Sequence, residues 1–120
     1  MSRNAEQRVA DILEAIARCR RYVSLTGRAD EAVLIDMAED AIERNLQIIG
    51  EAANHLPAVI TDAHPEIAWP QIRGFRNILV HQYFGVDIEV VRDVVETHLP
   101  PLAEVLEQHR GQPAPASGPC

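Results

Sequence analysis

The sequence predicts an all-α protein, an antiparallel bundle of four to five helices. Apolar residues recur at steps of three and four through its long segments, as on one face of an α-helix, and no segment alternates as a β-strand does. Aromatic residues make up only 4% of the chain, so Leu, Ile, Val and Ala must build the core, which suits packed helices. The 120 residues form one domain, small enough that a dimer would bury useful further surface.

Two long amphipathic helices are expected first. One covers about residues 4 to 23 and the other about residues 30 to 56. Asp30 is a suitable N-cap for the second helix, because its carboxylate can accept from free N–H groups of the first turn, and Pro57 ends that helix. The apolar face of the first helix consists of Val9, Ile12, Leu13, Ile16, Cys19 and Val23. That of the second consists of Val33, Leu34, Met37, Ala38, Ala41, Ile42, Ile49, Ala53 and Leu56.

Shorter helices are expected in the second half of the chain. Their limits are about 57–61, 70–83, 87–98 and 102–109. Pro70 suits a first helical turn, Gly85 ends the fourth helix and Asp87 caps the fifth. Pro100 and Pro101 are expected to kink or break the fifth helix, since proline lacks a backbone N–H.

The charge of the chain limits its functions. Eleven arginines against 18 acidic residues leave a formal charge of −7, so the broad basic surface of many nucleic-acid-binding proteins is missing. Any contact with RNA or DNA must then be local. Every basic residue is an arginine, whose planar fork suits a small phosphate site, although a base composition that favours Arg and Ala explains this equally well.

The remaining features of composition concern organisation and location. Residues 1–110 form the expected helical domain, and residues 111–120 form a flexible tail without core-forming side chains. Cys19 and Cys120 do not make a disulfide framework and are expected to be reduced. With no signal peptide and no long apolar run, the expected location is the cytoplasm, away from membranes.

Residues 73–83 concentrate the polar chemistry of the chain. With about 100° per residue, the apolar side chains of this predicted helix fall on one arc. The opposite side carries Arg73, Asn77 and His81, flanked by Arg76, and Tyr83 returns close to the line of Arg76. Such a polar side is often only a solvated face.

This set of side chains also matches the chemistry of RNA cleavage. RNA is cut without a metal when its 2′-hydroxyl loses a proton and attacks the adjacent phosphate. Histidine is a suitable base near neutral pH, and arginine forks stabilise the charge on the phosphate. Asn77 could orient the phosphate or hold the ring of His81. Because one helix offers one imidazole, a two-fold dimer that opposes two such helices would supply two proton carriers in a composite cleft.

The same residues resemble a known family. Arg76-x4-His81, with Asn77 after the arginine, resembles the R-x4–6-H signature of the HEPN superfamily, and the continuation to Tyr83 resembles the R-x4-H-x-Y motif of HepT-like toxins. The similarity extends to about residue 108. The flanking pieces that agree are Gly50-Glu51-Ala52, Pro65-Glu66-Ile67-x-Trp69 and Tyr83-Phe84-Gly85-Val86-Asp87.

The resemblance implies an all-α, HEPN-like homodimer with metal-independent endoribonuclease activity and no cofactor. Arg76 and His81 would be catalytic, and Asn77 would support them. Arg73, on the same polar side of the predicted helix, is expected on its own chemistry to bind the RNA phosphate. It also implies a partner, an MntA-like nucleotidyltransferase antitoxin that transfers AMP from ATP to Tyr83. The alternative is a non-catalytic helical module that presents a substrate to such a nucleotidyltransferase.

Other residues have two interpretations each. Glu51 and His55 could bind a metal, but the paired Glu-x-x-His motifs of ferritin-like bundles are absent. Trp69 is expected to be a core anchor. His64, His98 and His109 are expected at the surface. Asp36, Glu39, Asp40 and Glu43 form an acidic run that is either a solvated face or a contact with a subunit or an antitoxin. Arg18, Arg20 and Arg21 could extend an RNA path.

Overall fold

The computed structural model describes residues 4–26, 30–75 and 88–110. All regular secondary structure in these ranges is helical, which confirms the predicted fold class. The helices are α1 (Ala5–Thr26), α2 (Ala32–Asn54), α3 (Ala58–Thr61), α4 (Trp69–Arg73), α5 (Ile88–Asp93) and α6 (Leu99–Glu107), with a π-helical segment at Val94–His98 between the last two. No helix in the described ranges is both long and apolar enough to cross a membrane.

Helix α1 begins where the sequence predicts and ends later. Asn4 and Gln7 form a reciprocal cap, in which each side chain accepts a hydrogen bond from the backbone N–H of the other, at 3.0 and 2.8 Å. The helix continues to Thr26, whose hydroxyl donates to the carbonyl of Val23. Arg92 of α5 donates to the same hydroxyl at 3.1 Å. This contact from a distant helix stabilises the extra turn.

The predicted cap of α2 is wrong. Glu31, rather than Asp30, occupies the N-cap position, and its side chain makes no capping hydrogen bond. Helix α2 then runs to Asn54, two residues short of the predicted end. Pro57 instead becomes the N-cap of the single turn α3, where its missing N–H costs nothing.

The core lies between α1, α2 and the C-terminal helical segments. Cys19 is fully buried among apolar neighbours, as predicted, and burial raises the pKa of its thiol to about 12. The thiol is therefore protonated and unreactive near neutral pH. The largest fully buried side chains, which come from every long helix, are Ile12, Ile42, Ile49, Ile72, Leu99, Leu102 and Leu106.

Pro100 and Pro101 do not break or kink the helix, contrary to the expectation from the sequence; the irregular turns precede them. Both residues fall in the first turn of α6, where proline is tolerated because first-turn N–H groups have no helical partner. The irregularity comes before them, in the wider π-helical turns at Val94–His98. Helical structure therefore continues from residue 88 to residue 107.

Trp69 and His64 connect the chain's middle to its last described helix. The indole of Trp69 is buried and donates to the carbonyl oxygens of Thr61 and His64, at 3.1 and 3.0 Å, which confirms it as an anchor. His64 is also buried, so the predicted surface location is wrong. Its Nε2 lies 2.8 Å from Nε2 of His109, an arrangement in which one ring donates and the other accepts. This pairing satisfies a ring nitrogen that burial would otherwise leave without a partner.

Candidate active site

The structure describes only the beginning of the predicted site. Arg73 lies at the end of α4. Arg76, Asn77, His81 and Tyr83 lie outside the described residues, so their positions remain predictions from the sequence. What the structure does show is how α4, the helix that directly precedes them in the sequence, is held.

Helix α4 is fixed by its apolar side and by a close approach of α2. Ile72 and Phe75 are buried, as the predicted apolar arc requires. A Cβ added at Gly50 of α2 would lie 3.1 Å from the carbonyl oxygen of Ile72 and 3.6 Å from that of Arg73. A Cβ at 3.1 Å would be tighter than most real contacts and would require the two backbones to move apart by a few tenths of an ångström. The glycine of the Gly50-Glu51-Ala52 triplet therefore sets the distance between α2 and the start of the motif.

Arg73 carries an unused hydrogen-bond donor. The side chain is half-buried, and its buried Nε–H has no acceptor in the part of the chain that the structure describes. A buried donor without an acceptor costs roughly 1–3 kcal/mol. A phosphate oxygen would satisfy such a donor, and arginine is suited to bind one through two parallel bonds. This observation is consistent with the phosphate-binding assignment of Arg73.

A cleft of about 270 Å³ lies between α1 and α2. Its charged lining consists of two arginines and two carboxylates, Arg8, Asp11, Arg44 and Glu51, and we call it the α1–α2 cleft. All its lining residues belong to α1 and α2. Arg8 and Arg44 are 36 positions apart, and no pattern in the sequence pointed to their meeting.

The arginines of α1 have separate surroundings. Arg18 forms an ion pair with Glu14 one turn earlier. The guanidinium of Arg21 lies 5.9 Å from the ring of Tyr22. Arg20 lines a second cleft, together with Glu96. Their role in an RNA path stays a prediction.

Metal-ligating side chains do not converge in the described ranges. No group of three or more His, Cys, Asp or Glu residues there could hold a metal ion. Glu51 and His55 are both exposed residues of the C-terminal part of α2.

Comparison with known proteins agrees with the sequence motif. Residues 12–109 match the family model described as Ribonuclease HepT-like. The Probable ribonuclease HepT of Thermococcus cleftensis is 34% identical over 111 residues, 92% of this chain and 99% of that protein. A Gamma-glutamylcyclotransferase and putative RNase of Methanocaldococcus jannaschii is 33% identical over 93 residues, which cover 78% of this chain and 41% of that protein.

A shorter match comes from a Putative RNase of Caldanaerobacter subterraneus, 34% identical over 68 residues, 57% of this chain and 61% of that protein. No solved structure matches the chain. The family match covers both the described helical core and residues 73–83. The chain therefore belongs to the HepT-like ribonuclease family of the HEPN superfamily.

Proposed function

We propose that the protein is the toxin of a HepT/MntA-type toxin–antitoxin system and a metal-independent endoribonuclease. The observation that carries the proposal is the family match over residues 12–109, which includes Arg76, Asn77, His81 and Tyr83. RNA and ATP both occur in the cytoplasm, which is where we expect the protein to act.

In this proposal, His81 is the general base that takes the proton of the RNA 2′-hydroxyl. The 2′-oxygen attacks the adjacent phosphorus and the bond to the following 5′-oxygen breaks, which leaves a 2′,3′-cyclic phosphate and a 5′-hydroxyl. Arg76 stabilises the added negative charge, and Asn77 orients the phosphate or the imidazole. Arg73 binds a phosphate oxygen, in agreement with its unused donor in the structure.

The leaving 5′-oxygen needs a proton, which a second imidazole supplies best. A two-fold homodimer that opposes two motif helices provides it, because every group of an isologous site occurs twice. The cleft of the dimer would also combine the arginines of two acidic chains, so that a local positive site forms on a negative protein.

The same site offers a means of silencing. The phenol oxygen of Tyr83 attacks the α-phosphorus of ATP, bound by the nucleotidyltransferase, and pyrophosphate leaves as the phenol loses its proton. Tyr83 falls near the line of Arg76 on a regular helix, so the added phosphate could pair with the arginines and fill the RNA site.

A direct test compares cleavage of labelled RNA in EDTA by the wild-type protein, Arg76→Ala and His81→Ala. We expect cyclic-phosphate products from the wild type and a loss of about 100-fold or more in the variants, the scale of acid–base catalysis. Equal traces of cleavage from all three proteins would favour the non-catalytic module instead.

The regulatory half needs a separate measurement. Mass spectrometry after incubation with ATP and the purified nucleotidyltransferase should find AMP on the peptide that contains Tyr83. Modification found only at other residues would contradict silencing through this tyrosine.

A further inference from the structure

The N-terminal half of α2 exposes large apolar side chains. Val33 and Met37 are 67% and 62% exposed, and Leu34 is 40% exposed. Val33 and Met37 are four residues apart and Leu34 is three residues before Met37, so the three side chains lie together on the helix surface. We call these three residues the apolar strip. The opposite side of the same half-helix packs into the core through Ala38 and Ile42.

Carboxylates border the apolar strip on one side. Asp36, Glu39, Asp40 and Glu43 follow one another at three- and four-residue steps, and we call them the acidic edge. Residues 30–43 contain six acidic residues and no arginine. No ion pair to the acidic edge is found within residues 4–26, 30–75 and 88–110.

The acidic edge is not explained by the helix itself. Carboxylates stabilise a helix when they lie in its first turn, and α2 has no acidic residue there. Within the acidic edge the charges repel each other. Burial first, then the carboxylates of Asp40 and Glu39, raise the pKa of Glu43 above its ordinary value. A cationic partner would relieve this repulsion.

Neither RNA nor a second copy of this half-helix supplies that cation, since residues 30–43 contain no arginine. RNA phosphates would be repelled by the acidic edge. In an antiparallel two-fold contact of this half-helix, the two acidic edges would lie side by side. In a parallel two-fold contact, the two acidic edges would lie on opposite sides of the contact, and residues 30–43 would again supply no cation. A different protein with its own basic residues fits better.

We propose that the apolar strip and the acidic edge of α2 together form a docking surface for a protein partner that presents an apolar centre bordered by arginine or lysine residues. The apolar strip supplies the buried centre of the contact, and the acidic edge sets its orientation and its rate of association. The surface is separate from the α1–α2 cleft, so a protein partner and RNA would use different parts of α2.

The nucleotidyltransferase proposed above is the probe, and this choice rests on the proposed function. Its affinity for the full chain is measured by calorimetry for the wild type, Met37→Asp and the pair Asp36→Lys with Asp40→Lys. We expect each variant to weaken binding by about tenfold or more, the effect of losing a central contact or reversing charges at an interface. Raising the salt concentration should weaken wild-type binding and leave the charge-reversed variant little affected.

Matched controls lie on another helix turn. Val59 is 58% exposed, and Asp62 is an exposed carboxylate three residues later. Val59→Asp and Asp62→Lys repeat the same chemical changes outside the docking surface and should bind the nucleotidyltransferase as the wild type does. Circular dichroism and RNA cleavage of all variants show whether the fold and the site are intact.

The other outcomes are distinguishable. If the α2 variants and the controls bind equally, the docking surface is refuted while the proposed function stands. If Met37→Asp changes the mass of the protein in light scattering from dimer to monomer, the surface joins two copies of the chain and the proposal is wrong. If the wild type cleaves RNA but does not bind the nucleotidyltransferase, the docking surface and the silencing mechanism both fail, and the ribonuclease remains.

Discussion

The two halves of helix α2 differ in almost every physical property. The C-terminal half packs Leu46, Ile49 and Ala53 into the core and brings Gly50 against the backbone of α4. The N-terminal half buries a narrower set of side chains and exposes Val33 and Met37 beside four carboxylates. One half of the helix thus packs against α4, and the other half carries the docking surface proposed above.

The two halves of α2 also differ in the charge of the side chains around them. The α1–α2 cleft combines two arginines with two carboxylates, whereas the acidic edge contains no cation. The formal charges of the cleft balance, whereas the acidic edge repels an anion. The net charge of −7 argues against nucleic-acid binding. This negative charge is, however, distributed unevenly over the chain.

The largest effect should come from truncating the buried half. Ile49→Ala removes a fully buried side chain and should lower the free energy of unfolding by about 2–5 kcal/mol. Met37→Ala, on the exposed half of the same helix, should change it by about 0.5 kcal/mol or less. Urea unfolding measures the free energy of unfolding of both variants. Equal losses of this free energy would mean that the two halves are packed alike.

The next effect tests the approach of α2 to α4. Gly50→Val introduces side-chain atoms where even a Cβ is 3.1 Å from a backbone oxygen, and overpacking of this kind costs roughly 1–3 kcal/mol. Gln47→Val places the same branched side chain on the exposed side one turn earlier and should be tolerated. RNA cleavage should fall in Gly50→Val as the motif helix is displaced. Unchanged stability and cleavage would show that the close approach is not required.

A smaller effect is expected in the α1–α2 cleft. Arg44→Gln should weaken RNA binding about two- to tenfold and reduce the dependence on salt by about one phosphate contact. Arg110→Gln serves as the control, because Arg110 pairs with Glu107 at the end of α6 and does not line the cleft. Fluorescence anisotropy at several salt concentrations measures the RNA affinity of each variant and its dependence on salt. An identical response of the two variants would exclude the cleft from the RNA path.

The smallest effect concerns the acidic edge. Because the pKa of Glu43 is raised in the folded protein, its ionised form is less favourable there than in the unfolded chain. The penalty is absent below the unfolded pKa and is complete above the folded pKa. Glu43→Gln should therefore be slightly more stable than the wild type at neutral pH, and thermal unfolding from pH 7 to pH 3 should show the difference vanishing. A constant difference would mean that ionisation is not its cause.

Much of the helical core follows from local pattern. The apolar spacing in α1 predicts the burial of Ile12, Ile16 and Cys19, because side chains three and four residues apart share a helix face whatever they pack against. Pro70 in the first turn of α4 is likewise a local effect of its missing N–H. The motif from Arg76 to Tyr83, together with its flanking pieces, predicts the family through the order of residues, which does not depend on packing.

Tertiary structure decided the features that join distant segments. His64 is buried because His109, 45 positions later, provides its hydrogen-bond partner, and periodicity around either residue contains no trace of the other. Helix α1 extends to Thr26 where Arg92 meets it, and Arg8 reaches the same cleft as Arg44 only when α1 packs on α2. The sequence by itself determined which faces are apolar and which family the chain joins, since both depend on neighbouring residues. Packing decided which polar groups meet, because their interactions depend on distance in space.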